Sequence, residues 1–236
     1  MLELLKNKKV LVVVAHPDDE LLGIGGTINK LVTEFNTTVK VIILGEGVTS
    51  RSDSRDSKDW NSALELHQKN ILQAKKAIGY HELSTYQFAD NRFDSVDLLD
   101  LIKVIEKEKE SFNPDYIFTH HGGDVNIDHQ RTFEAVMTAT RPMDNENVLG
   151  IITFETASGT EWQASSDPKR FVPNLYVEIS ESNLNSKITG MEAYEFEKRK
   201  YPHPRSPEAL KIYAQHRGIT VGYKLAEAFM IIRLKS

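Results

Sequence analysis

Six consecutive apolar residues, Val10 to Ala15, run straight into His16-Pro17-Asp18-Asp19-Glu20 in the stretch "VLVVVAHPDDELLGIGG". An unbroken, valine-rich run of that length fits a strand buried on both faces, as in a parallel sheet covered by helices. The same alternation continues. Strands are expected at Val39–Leu44, Leu83–Ala89, Asp115–Thr119 and Val148–Glu155. Between them, helices are expected at Gly25–Phe35, Ala63–Ile78, Val96–Phe112 and Asp128–Thr140. In Ala63–Ile78 the residues Leu64, Ile71, Leu72, Lys75 and Ile78 are spaced for burial of one side. Past residue 155 the pattern weakens to a strand over Phe171–Ile179, a helix over Leu184–Lys200, a helix opening near Pro207 and a closing strand at Ala228–Leu234. The expected class is α/β with a mostly parallel sheet, built as one domain over residues 1–236. Its core spans about residues 8–155, and about 156–236 form a small C-terminal elaboration.

Composition narrows the chemistry. The chain has no cysteine, so any metal must be held by nitrogen and oxygen, and a thiol nucleophile is excluded. A net charge of -5, with no dense lysine and arginine cluster, argues against a nucleic-acid partner. The expected partner is a small molecule. No segment approaches the roughly 18 apolar residues of a membrane span, and "MLELLKNKKV" does not read as a signal peptide, so a cytoplasmic location is expected.

Ligand sites of open parallel sheets lie outside the carboxyl ends of the strands, where this chain puts its most unusual polar loops. A dinucleotide site fits poorly: Gly23, Gly25 and Gly26 do not match G-x-G-x-x-G, and three acids would face the pyrophosphate. A cation explains more. His16 and Asp19 can aim a nitrogen and an oxygen at one ion, and the second His/Asp-rich loop, "HHGGDVNIDH", supplies His129 as a third ligand. Asp18 is then a spare carboxylate, turned differently from Asp19 and suited to take a proton from water. The plainer account, an acidic turn in which Asp18 or Asp19 caps the next helix, leaves the second loop unexplained.

These two motifs resemble the PIG-L/LmbE-like zinc-dependent deacetylases, which remove acetyl groups from N-acetylglucosamine-type substrates. "HPRSPEAL" and "RGITVGYKLAEAF" resemble a bacterial branch of that family. The resemblance implies a Rossmann-like three-layer sandwich, zinc on His16, Asp19 and His129, and Asp18 as the base. It implies a small N-acetylated amino sugar or glycoconjugate as substrate. Family members often assemble, which makes a homo-oligomer compatible. His/Asp/His sites also accept Fe2+ or Co2+. The chain departs from the family at Asn126, a histidine in several members, and at Asp124, a tyrosine in some. Asn126 can donate a hydrogen bond to an oxyanion but cannot deliver a proton. Proton delivery to the leaving amine falls to Asp18, with His121 and His203 in reserve, while Asp128 orients an imidazole or a backbone amide.

Substrate contacts are expected from Arg51, favoured over Arg55, and from Asp90, Arg92, His121, Asp124, His203 and Arg205. Trp60 and Trp162 fit either a sugar platform or a loop anchor. His67, His81 and His216 read as surface residues. A rival from another class is a metal-containing carbohydrate-binding protein that lost turnover when asparagine came to occupy position 126. Hydrolysis of a different amide or an ester is the second alternative.

Overall fold

A computed structural model describes residues 2–51 and 57–235, with no side chain described from 51 to 59. In chain order the elements are α1 (Leu2–Leu5), β1 (Lys9–Val14), α2 (Asp19–Glu34), β2 (Thr38–Gly45), α3 (Ser57–Ile78), β3 (Glu82–Phe88), α4 (Leu98–Phe112) and β4 (Tyr116–His120). They continue with α5 (Ile127–Ala139), β5 (Gly150–Phe154), β6 (Leu175–Glu178), α6 (Glu181–Ala193), α7 (Pro207–Val221) and β7 (Ala226–Leu234).

All seven strands join one sheet in the order β3-β2-β1-β4-β5-β7-β6. The first five run parallel, and β7 pairs antiparallel with both β5 and β6. The C-terminal strands therefore widen the same sheet. β1 lies between β2 and β4, in register from Val10 to both Val39 and Tyr116, which explains its unbroken apolar run. Its residues alternate between two cores. Val10, Val12 and Val14 pack with α2, α3 and α6, while Leu11, Val13 and Ala15 pack with α4 and α5.

Three expected helices have clearly different bounds, among them α3, which starts at Ser57 instead of Ala63. α2 begins at Asp19, six residues before the expected Gly25, because glycines that weaken a helix by propensity are needed here for close packing. A Cβ on Gly23 would lie 2.1 Å from the Phe154 ring, and one on Gly26 would lie 2.9 Å from Ile179. The buried Lys187–Glu227 pair uses that closeness: Lys187 donates to the Leu22 carbonyl, and Glu227 accepts from the Gly26 and Thr27 amides. α6 ends at Ala193 instead of Lys200, and the residues that follow form turns leading to the site. On α3, Ile71, Ala74 and Ile78 are buried but Leu72 is exposed. His67 is a further correction: it is buried against Tyr194 and Phe196, since it lies on the helix face turned toward α6. Among the described residues, no helix is long and apolar enough to cross a membrane.

Candidate metal centre and active site

The strand order reverses between β1 and β4, so a crevice opens at their carboxyl ends. β1 delivers His16 to it, the first turn of α2 delivers Asp19, β4 ends on His120, and the first turn of α5 brings Asp128 and His129. Asp18 sits in the left-handed region at φ 99°, and its amide donates to Glu20 Oε2 at 3.0 Å. That turn sends the two neighbouring carboxylates apart: Asp19 toward the histidines, Asp18 toward an open cavity.

Asp19 Oδ2 lies 3.4 Å from His16 Nδ1, 3.3 Å from His129 Nε2 and 3.3 Å from His120 Nε2. One ligand atom from each of His16, Asp19 and His129 falls within 4.8 Å of the others, and all three residues are buried. Asp19 Oδ1 is buried with no hydrogen-bond partner among the described residues. Each imidazole is held from behind. His16 Nε2 is 2.8 Å from Asp128 Oδ2, while Asp128 Oδ1 accepts the Phe93 amide. His129 Nδ1 is 3.2 Å from Asp124 Oδ1, and Asp124 Oδ2 accepts from Thr160 Oγ1. Carboxylate-backed imidazoles facing a third donor are the usual surroundings of a bound metal. The alternative grouping of His16, Asp90 and Asp128 uses the far nitrogen of His16, already hydrogen-bonded to Asp128.

The electrostatics favour positive charge. Burial lowers the pKa of His129, yet Asp19 and Asp124 outweigh it and push the imidazole up to about 9. Burial likewise opposes protonation of His16, but Asp128, Asp19 and Asp90 raise it well above the usual range. Burial and the neighbouring His129 push His120 down to about 4; its ring stacks on that of His129 with centroids 3.9 Å apart. Two imidazole nitrogens and one carboxylate, whose second oxygen is unpartnered among the described residues, fit a zinc-like divalent cation.

Beside this centre is a cavity of about 270 Å³ whose lining includes His16, Asp18, Asp90, Asn91, Asn126 and Arg205. Asp18 Oδ2 accepts from Arg205 Nη1 at 2.9 Å, and the same nitrogen donates to Glu197 at 2.6 Å. Burial raises the Asp18 carboxyl well above its usual range, against the pull of the Arg205 guanidinium. His203 and Trp162 also line the cavity, their rings edge-on with centroids 6.0 Å apart.

Other expected contacts fall elsewhere. Arg92 is exposed and borders an adjoining hollow with Ser50 and Asp90. The Arg51 side chain and all of Arg55 lie outside the described residues. Asp124, expected to touch substrate, is fully buried behind His129. His121 points away from the cavity, with Nε2 2.6 Å from the Lys169 carbonyl and the ring against Phe171. The site residue missed in that loop is His120, which shares the strand face of Phe118, a two-residue period legible in the sequence. Glu197 and Asn91 had no signal, because neither sits in a recognisable motif.

A Rossmann-like α/β protein with a buried His/Asp centre at the reversal point of its sheet is thus defined by fold and geometry together. Residues 11–140 match the PIG-L family, described as GlcNAc-PI de-N-acetylase, and the chain belongs to that family. The match contains both acidic and histidine motifs but stops well before Arg205. The chain is similar to a probable N-acetyl-alpha-D-glucosaminyl L-malate deacetylase 2 of Bacillus anthracis, 26% identical over 78% of this chain and 86% of that one. It is also 24% identical to the uncharacterized deacetylase YaiS of Escherichia coli, over 80% of this chain and 91% of that one. Among solved structures, the N,N'-diacetylchitobiose deacetylase of Pyrococcus horikoshii superposes with a TM-score of 0.71 at 19% identity, covering 97% of this chain and 87% of that one. At that identity the likeness concerns the fold.

Proposed function

We propose that the protein is a metal-dependent N-deacetylase that hydrolyses the acetamide of an N-acetylated amino sugar or sugar conjugate to acetate and a free amine, with zinc as its ion. Asp18 carries this reading: a buried carboxylate beside the three candidate ligands, facing the cavity and oriented by Arg205, has no use in a site that only binds metal. The family and the activities printed for the relatives support an acetylated sugar as substrate.

His16, Asp19 and His129 would hold the cation, with Asp128 and Asp124 orienting the two imidazoles. A bound divalent cation supplies Lewis acidity, acidifying water and polarising a carbonyl oxygen. Asp18 takes the proton from the attacking water. Arg205 limits the rise that burial imposes on Asp18, so the carboxyl can be ionised when water arrives and protonated after attack. As the C–N bond breaks, Asp18 returns that proton to the departing nitrogen, and acetate leaves. Asn126, on the cavity wall, donates an N–H to the tetrahedral oxyanion.

The test is acetate release from a panel of N-acetylglucosamine derivatives by zinc-loaded protein, beside Asp18→Asn. The expected result is turnover by the wild type and a loss of about 10²- to 10⁴-fold in the variant, with equal zinc content by elemental analysis. Equal rates for the two proteins would remove Asp18 from the reaction. Silence of a zinc-loaded wild type across the panel would favour a sugar-binding protein that lost turnover with Asn126.

A further inference from the structure

Along the lining of the cavity, five residues close a circuit that passes once through a backbone amide. His16 Nε2 is 2.8 Å from Asp128 Oδ2, and the Asp128 amide donates to Asn126 Oδ1 at 2.8 Å. Asn126 Nδ2 donates to Asn91 Oδ1 at 3.0 Å, and Asn91 Nδ2 donates to Asp90 Oδ1 at 3.0 Å. Asp90 Oδ1 lies 3.3 Å from His16 Nε2, which returns the circuit to its start.

The chemistry of each group fixes its neighbour. The Asn126 carbonyl is committed to the first turn of α5 as its cap, so the amide cannot turn over without losing that bond. Its NH₂ has two hydrogens, and Asn91 takes one. The remaining hydrogen belongs to a side chain on the cavity wall. Asn91 is itself held in the left-handed region at φ 53°, a conformation asparagine tolerates better than most residues. The carboxylate of Asp90 is anchored in turn by Ser50, and its own backbone amide donates to Glu46.

We propose that Asn91 is a positioning residue: it locks the Asn126 carboxamide so that its second N–H is presented to the reacting oxygen, giving a neutral donor of fixed direction. This rests on the deacetylase reading for its functional consequence, but the lock itself is a property of the folded chain. Pre-organisation of a donor matters because a hydrogen bond that must first be rotated into place contributes less in the transition state.

Asn91→Gly removes the side chain while accommodating the positive φ. With zinc-loaded protein and an acetamide substrate, Asn126→Ala should lower kcat about 100-fold and Asn91→Gly about 10-fold, KM changing less than twofold in both. The double variant should match Asn126→Ala, because the two act as one unit. A second measurement needs no turnover: the Asn126 side-chain NH₂ signals, assigned by their loss in Asn126→Ala, should show one slowly exchanging hydrogen in the wild type and rapid exchange in Asn91→Gly. Unchanged kcat in Asn91→Gly, additive losses, or exchange indifferent to Asn91 would each overturn the proposal. If the wild type releases no acetate, the deacetylase reading fails, and the exchange measurement still decides the lock.

Discussion

His129 stands between two carboxylates, Asp19 in front and Asp124 behind, and the pair sets both its charge and its direction. Replacing Asp124 by asparagine keeps the size of the side chain and removes the negative charge behind the ring. Asp124→Asn should weaken zinc binding about 10- to 100-fold in a chelator competition, with the fold retained by circular dichroism. Four residues of the proposed site are legible in the sequence because they announce themselves chemically: His16, Asp18, Asp19 and His129 sit in two dense motifs. The sequence does not rank Asp124 behind His129, nor show that His121 is spent on the Lys169 carbonyl, because those depend on where a loop turns. Asn126 was legible as a hydrogen-bond donor, but its partner Asn91 is 35 residues away on another loop.

At the scale of the element, α2 and β5 pack together beside the centre, and disturbing that contact has a measurable cost. Gly23 on α2 leaves room for the Phe154 ring on β5, and Phe154 meets His120 edge-on with centroids 5.2 Å apart. Gly23→Ala should therefore destabilise the protein by about 3 kcal/mol in urea and disturb the histidine stack with it. On the opposite side of the sheet, Lys40 of β2 donates to Glu108 of α4 at 2.8 Å, and Tyr86 of β3 donates to the same carboxylate at 2.6 Å. Burial raises the Glu108 carboxyl, but Lys40, Tyr86 and Ser84 outweigh it and hold it below its usual range. A depressed carboxyl contributes stability above its unfolded pKa of 4.5 that is lost as pH falls through the folded value. Lys40→Met should cost about 2–4 kcal/mol at pH 7, and the difference from wild type should shrink when unfolding is repeated near pH 4. The strands were legible because β-branched runs and a two-residue period suffice. The start of α2 was not, since the glycines answer to Phe154 and Glu227, which lie far along the chain.

At the scale of the whole molecule, the cavity is lined by charged side chains and by one exposed aromatic. Trp162 is 56% exposed, although the single turn that bears it is tied to the centre through Thr160 and Asp124. An exposed tryptophan on an anchored turn contributes little to folding, so Trp162→Ala should change stability by about 0.5 kcal/mol or less. If a sugar ring stacks there, KM for a glycoside should rise about two- to tenfold with kcat unchanged. An unchanged KM would make Trp162 a bystander. The parts of the site also come from distant stretches: the three candidate ligands lie within the first 129 residues, whereas Asp18 meets its guanidinium partner only at Arg205. During synthesis, at about 5–20 residues per second, the ligands emerge several seconds ahead of that arginine. A nascent chain thus presents all three candidate ligands before it presents the guanidinium that orients Asp18, and the order of the polypeptide alone sets that sequence.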